Sequence, residues 1–93
     1  MRIGKEMHTI EMMEQAVAAA EVLGYSIRQE YLGGVGGGGC EIAGRRWIFI
    51  DLALNSHEQL GQVIETLRSD EGTYGLSVSP ELADLIGGIR RAA

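Results

Sequence analysis

Lysine occurs once in this 93-residue chain, cysteine occurs once, and no apolar run approaches the length of a bilayer span. Each scarcity removes a class of function. A single thiol, Cys40, cannot form an intrachain disulfide, so the chain is expected to fold without staples in a reducing, intracellular compartment. Seven of the eight cations are arginines, scattered singly or as the pairs Arg45-Arg46 and Arg90-Arg91. The basic stripe that would neutralise phosphates is therefore missing. Thirteen acidic residues bring the formal charge to −5, which argues against nucleic acid or an anionic membrane as a partner. The longest apolar stretch, residues 16–20, falls far short of the ~20 residues that span a bilayer. Residues 1–6 lack the apolar core of a signal peptide. The cytoplasm is the expected location.

What the chain has in excess is glycine. Of its fourteen glycines, six fall in residues 33–39, interrupted by Val35 and followed at once by Cys40-Glu41. Glycine loses more backbone entropy on ordering than any other residue, so a packed run permits positive φ or close approach. The run marks either such a site or a flexible tether. The length fits one domain, residues 1–93. A domain this small buries only about 60–65 % of its unfolded surface. Self-association, most simply as a homodimer, is expected to supply part of the rest.

Periodicity gives the elements. Residues 1–8 have no period and are expected to fray. Thr9 can cap a helix whose stripe is Ile10, Met13, Val17, Ala20 and Leu23, stopped by Gly24. Residues 25–32 alternate as a strand, with Ile27, Gln29 and Tyr31 on one face and Arg28 and Glu30 on the other. Residues 40–43 and 46–51 form a hairpin about Gly44-Arg45, and Trp47-Ile48-Phe49-Ile50 is apolar on both faces, as in a central strand. Ser56 and Gln59 have the form of a capping box before the stripe Leu60, Val63, Ile64 and Leu67. Ser79-Pro80 starts a last helix through Leu82, Leu85, Ile86 and Ile89. The order is α-β-β-β-α-α, and the simplest packing is an α+β two-layer sandwich: a small, largely antiparallel sheet with helices on one face.

The candidate chemistry is sparse. Backbone NH groups of Gly36, Gly37, Gly38 and Gly39 could hold an anion, with Arg28 and Cys40 beside them. Known phosphate loops also use a helix N-terminus and often a Lys, and here the run enters a β pattern instead. Cys40, His57 and Asp51 could make a nucleophile, base and orienter, although Glu41 beside the thiol disfavours a thiolate. Asp51, ending a strand, is otherwise a turn or cap residue. His57-Glu58 begins like HExxH, but Gly61 stands where the second ligand would be. No cofactor or metal is called for.

The segment 25–67 resembles a group of small uncharacterised bacterial proteins. Their pattern is a strand, a GG-x-GGG-x-C-like segment, a strand ending in Asp and an S-x-x-EQ-like helix start. It is matched here by Gly33, Gly34, Gly36, Gly37, Gly38, Cys40, Asp51, Ser56 and Gln59. That resemblance implies no activity. In element order alone the chain is also similar to the core of zinc peptidases that cleave repressors, and the absent ligands would imply a metal-free, inactive relative. The expectation is a non-enzymatic domain that associates with itself and with a partner protein. A small-ligand module on the glycine backbone and a Cys40-dependent enzyme or redox sensor are the alternatives.

Overall fold

A computed structural model describes residues 3–34 and 36–87 of the chain, with side chains from Met7 onward. The elements run α1 (Ile3–Val22), β1 (Tyr25–Glu30), β2 (Gly38–Ile42), β3 (Arg45–Asp51), α2 (Ser56–Ser69), a 3₁₀ turn (Glu71–Gly75) and α3 (Pro80–Ile86). This is the α+β order expected, with the helices packed on a three-stranded sheet.

The sheet order is β1-β3-β2, with β3 central as its apolar run predicts. The pairing differs from expectation. β2 and β3 are antiparallel, but β1 runs parallel to β3, so the sheet is mixed rather than largely antiparallel. Pairing of β1 is a long-range event that no local turn dictates. Its register sets Ile27 beside Ile48 and Glu30 beside Asp51.

Along β3 the side chains alternate. Ile48 and Ile50 are fully buried beneath the helices, while Trp47 and Phe49 occupy the opposite face. The core is completed by Met12, Ala16, Ala19 and Ala20 of α1, Leu60, Val63, Ile64 and Leu67 of α2, and Leu82 and Ile86 of α3. Three alanines let α1 lie close against its neighbours.

Several local expectations shift. α1 begins at Ile3, so Thr9 lies within it and residues 3–8 are helical rather than frayed; residues 1–2 lie outside the described chain. Its most buried residues are Met12, Ala16, Ala19 and Ala20; of the expected stripe, Ala20 is buried, Met13, Val17 and Leu23 pack half-buried against the core, and Ile10 is exposed. The alanines add little hydrophobic signal, so Ala16 and Ala19 go unread while the larger Ile10 is counted in. The capping box of α2 is also one residue early. Asn55 caps it, accepting from the Glu58 N–H at 2.8 Å, while Glu58 accepts from the Asn55 N–H at 3.1 Å. Asn is as good a cap as Ser, and the sequence offers both. The hairpin turns on Ala43 and Gly44 rather than on Gly44-Arg45. Both have positive φ, +52° and +80°, the conformation of a two-residue type I′ turn. Ser79 caps α3 and Gly87 ends it in the left-handed region; Ile89 lies outside the described residues.

Candidate functional site

Because β1 and β2 flank β3, the chain must cross β3 to pass from one to the other. It crosses at the C-terminal end, where Glu30 pairs with Asp51 and Gly38 with Phe49. The glycine segment is that crossing. Beneath it lies Asp51, fully buried. Its Oδ1 accepts the Leu32 N–H and the Ala53 N–H, each at 2.9 Å, and its Oδ2 accepts the Gly34 N–H. The backbone N–H of Asp51 donates to Gln62 Oε1 at 2.9 Å, and Gln62 Nε2 donates to the Gly36 carbonyl at 3.1 Å. The strand, the strap and α2 are thus tied at one point. Burial pushes the Asp51 carboxyl up, but the amides of Leu32, Ala53 and Gly34 outweigh it and hold the group below the ordinary carboxylate value.

An open α/β sheet holds its ligand at the carboxyl ends of parallel strands, often a phosphate on glycine amides. Here the anion under the glycine strap is the protein's own carboxylate. Two further glycines of the run answer to α2. Gly37 has φ +107°, and a Cβ there would lie 2.2 Å from Gln62 Nε2 and 3.1 Å from the Phe49 carbonyl oxygen. A Cβ on Gly39 would lie 2.8 Å from Thr66 Cγ2. Bare backbone at these two positions lets α2 descend onto β2.

The proposed nucleophile, base and orienter are not brought together. Cys40 is exposed opposite Trp47, and Asp51 lies four residues further along β3, roughly 13 Å away. His57 is exposed in the first turn of α2. All polar atoms of the Asp51 side chain are engaged by the strap and by Ala53. Arg28 and Glu30 form an ion pair at 2.8 Å on the face of the sheet that no helix of the described residues covers, worth about 0–1 kcal/mol at such exposure.

No protein family, curated protein or solved structure matches this chain. Its chemistry must be argued from its own surfaces. Among the described residues no group of three or more His, Cys, Asp or Glu side chains could hold a metal ion.

Two surfaces stand out. The first is the uncovered face of the sheet. Trp47 and Phe49 stack there with ring centroids 5.9 Å apart, and the Arg45 guanidinium lies 5.0 Å from the Trp47 ring centroid. Arg45 also donates to Ser26 Oγ at 3.2 Å. Cys40 and Ile42 flank the aromatics from β2, and Ile42 is 52 % exposed.

The second surface is a groove of about 830 Å³ on the helix side, between β2 and the C-terminal half of α2. At its floor, Tyr25 and Arg46 converge on Asp70. The tyrosine hydroxyl donates to Asp70 Oδ2 at 2.8 Å and Arg46 Nη1 donates to the same oxygen at 3.1 Å. Arg46 also donates to the Leu23 carbonyl and lies over the Tyr25 ring at 4.3 Å. Burial raises the Asp70 carboxyl, but the Gly72 amide, Tyr25 and Arg46 more than offset it and hold it low. Burial, together with the carboxylate it donates to, pushes the Tyr25 hydroxyl up. This cluster was missed in the sequence because its members lie 21–45 residues apart and share no motif. Glu41, Glu65 and Glu71 line the same groove. The only hint of them in the sequence is a charged residue, Glu41, in a strand otherwise made of small and apolar residues.

Proposed function

We propose that this chain is a non-enzymatic interaction domain that associates with itself through the open face of its sheet and also binds a partner protein. The observation that carries the reading is that, among the described residues, helices cover the sheet on one side only, leaving Trp47, Phe49, Ile42 and Cys40 together on the other. Apolar surface at a sheet face gains by leaving water, at roughly 25 cal/mol per Å². A small domain buries a lower fraction of its surface on folding than a large one, so association adds usefully to the buried area. The single exposed thiol suits a reducing compartment, and the cytoplasm is the proposed location.

Sedimentation velocity over a concentration series tests this. The wild-type chain is expected to form dimers, and Ile42→Glu, which places a charge on the exposed face without touching the core, is expected to shift them to monomer. A strict monomer at every concentration would overturn self-association.

A second reading rests on a depression of about 340 Å³ over Gly36, Gly37, Gly38 and Gly39, bordered by Glu30, Leu32, Cys40 and Phe49. Backbone amides there could receive a small ligand. Titration with phosphate, followed by the amide resonances of Gly36–Gly39, would favour this reading if they moved saturably.

A further inference from the structure

We infer that the free edge of β2 receives an extended segment of a partner protein carrying Arg or Lys at alternate positions. The inference rests on the partner-binding half of the proposed function and names the partner's chemistry.

Among the described residues, β2 pairs with β3 on one side and with no strand on the other. The two-residue turn at Ala43-Gly44 makes Ile42 and Arg45 the closing hydrogen-bonded pair. Antiparallel pairs alternate, so Cys40 and Gly38 also bond to β3, while the N–H and C=O groups of Gly39 and Glu41 point outward. Those groups form a template for one more strand. At Gly39 no side chain of β2 obstructs its approach.

The groove beside this edge decides what the strand must carry. Four carboxylates line it, those of Glu41, Glu65, Asp70 and Glu71, against one guanidinium, that of Arg46. Arg46 is already engaged with Asp70, and Glu65 with Arg68 at 2.7 Å. Glu41 and Glu71 have no ion-pair partner among the described residues. An incoming residue opposite Glu41 turns its side chain to the helix side of the sheet, beside these carboxylates, and every second residue does the same. Cationic side chains satisfy the groove there. A second copy of this chain does not, because its own β2 would bring another Glu41 to a groove that is already acidic, on a molecule of formal charge −5.

The test uses the full chain and an acetylated, amidated hexapeptide of alternating Arg and Val, with the Glu-Val peptide as control. In amide correlation spectra the Arg-Val peptide is expected to move Gly39, Glu41 and Glu65 and to slow exchange at the first two. Glu41→Lys, a fully surface change, should weaken binding roughly tenfold or more, as should about 0.5 M NaCl. The inference is overturned if about 1 mM Arg-Val peptide moves nothing, or if Glu41→Lys binds as well as wild type. It is equally overturned if both peptides act alike, or if the Gly39 and Glu41 amides become protected with rising protein concentration and no peptide, which would make the second copy the occupant. Sedimentation of the same samples separates the two proposals. A monomer that binds the peptide loses only self-association, and a dimer that ignores it loses only the edge site.

Discussion

Asp51 shows how far one residue's role can differ from its sequence label. A strand-ending aspartate is a turn residue in most settings, and here it does accept the Ala53 amide in that way. The same carboxylate also closes the glycine strap through Leu32 and Gly34. Those partners lie 19 and 17 residues earlier, so nothing near Asp51 announces them. Its folded-state value is depressed, and so is that of Asp70. A depressed carboxyl contributes stability that is present above the unfolded value, near ~4, and is lost as pH falls through the folded value. The urea midpoint is therefore expected to hold from neutrality to about pH 4 and to fall below it. Asp51→Asn should start lower at pH 7 and lose part of that dependence. The amide can keep two of the three acceptor bonds, but it turns an NH₂ toward the Gly34 N–H, so exchange at Gly34 should accelerate. An Asn variant as stable as wild type at pH 7 would remove the strap from this account. Ala43 offers the opposite case. Its φ of +52° suits Asn or Gly better than Ala, so Ala43→Asn should gain about 1 kcal/mol. Thermal melting would show this as a rise of roughly 4–8 °C.

At the scale of elements, the sequence was legible where signals are local. The order and type of the elements, the central place of β3, the Pro80 start of α3 and the stripe of α2 all follow from period and caps. The errors fall where two local signals compete, as between Asn55 and Ser56, or where the buried residues are small, as on α1. The glycine run was illegible for a different reason. Its placement depends on Asp51, Gln62 and Thr66, all distant in sequence from residues 33–39. This makes the contact between α2 and β2 testable. Gly39→Ala is expected to cost about 1–3 kcal/mol through its clash with Thr66 Cγ2. Thr66→Ala in the same chain should recover much of that, giving a coupling of about 1 kcal/mol in a double-mutant cycle. Gly37→Ala should not be rescued by Gln62→Ala, because positive φ and the Phe49 carbonyl remain. Equal rescue at both sites would mean that space alone, not backbone conformation, governs the run.

For the molecule as a whole, the two surfaces differ in the force that would fill them. The open face is aromatic and aliphatic, whereas the β2 groove is carboxylate-rich. Salt screens charges but leaves apolar association intact. Sedimentation equilibrium should therefore give a dimer constant that is unchanged or tighter when NaCl is raised from about 0.1 to about 1 M. Dissociation at high salt would assign self-association to charged contacts instead. The parallel β1–β3 pairing was the largest feature beyond sequence reading. It joins segments that no turn connects, and it is held by the packing of Ile27 and Tyr25 against the common core together with the contacts of Arg45 with Ser26 and Arg46 with Tyr25.

The strap has a consequence for how the gene can change. A glycine-rich string between strands is ordinarily where insertions and deletions accumulate, because loop length is thermodynamically cheap. This one is fixed at both ends, by Gly34 on Asp51 and by Gly39 under Thr66. Gaining or losing a single codon between those points would break one anchor or slip the register of β2 and turn its faces over. The stretch that looks most like filler is thus among the least able to vary in length.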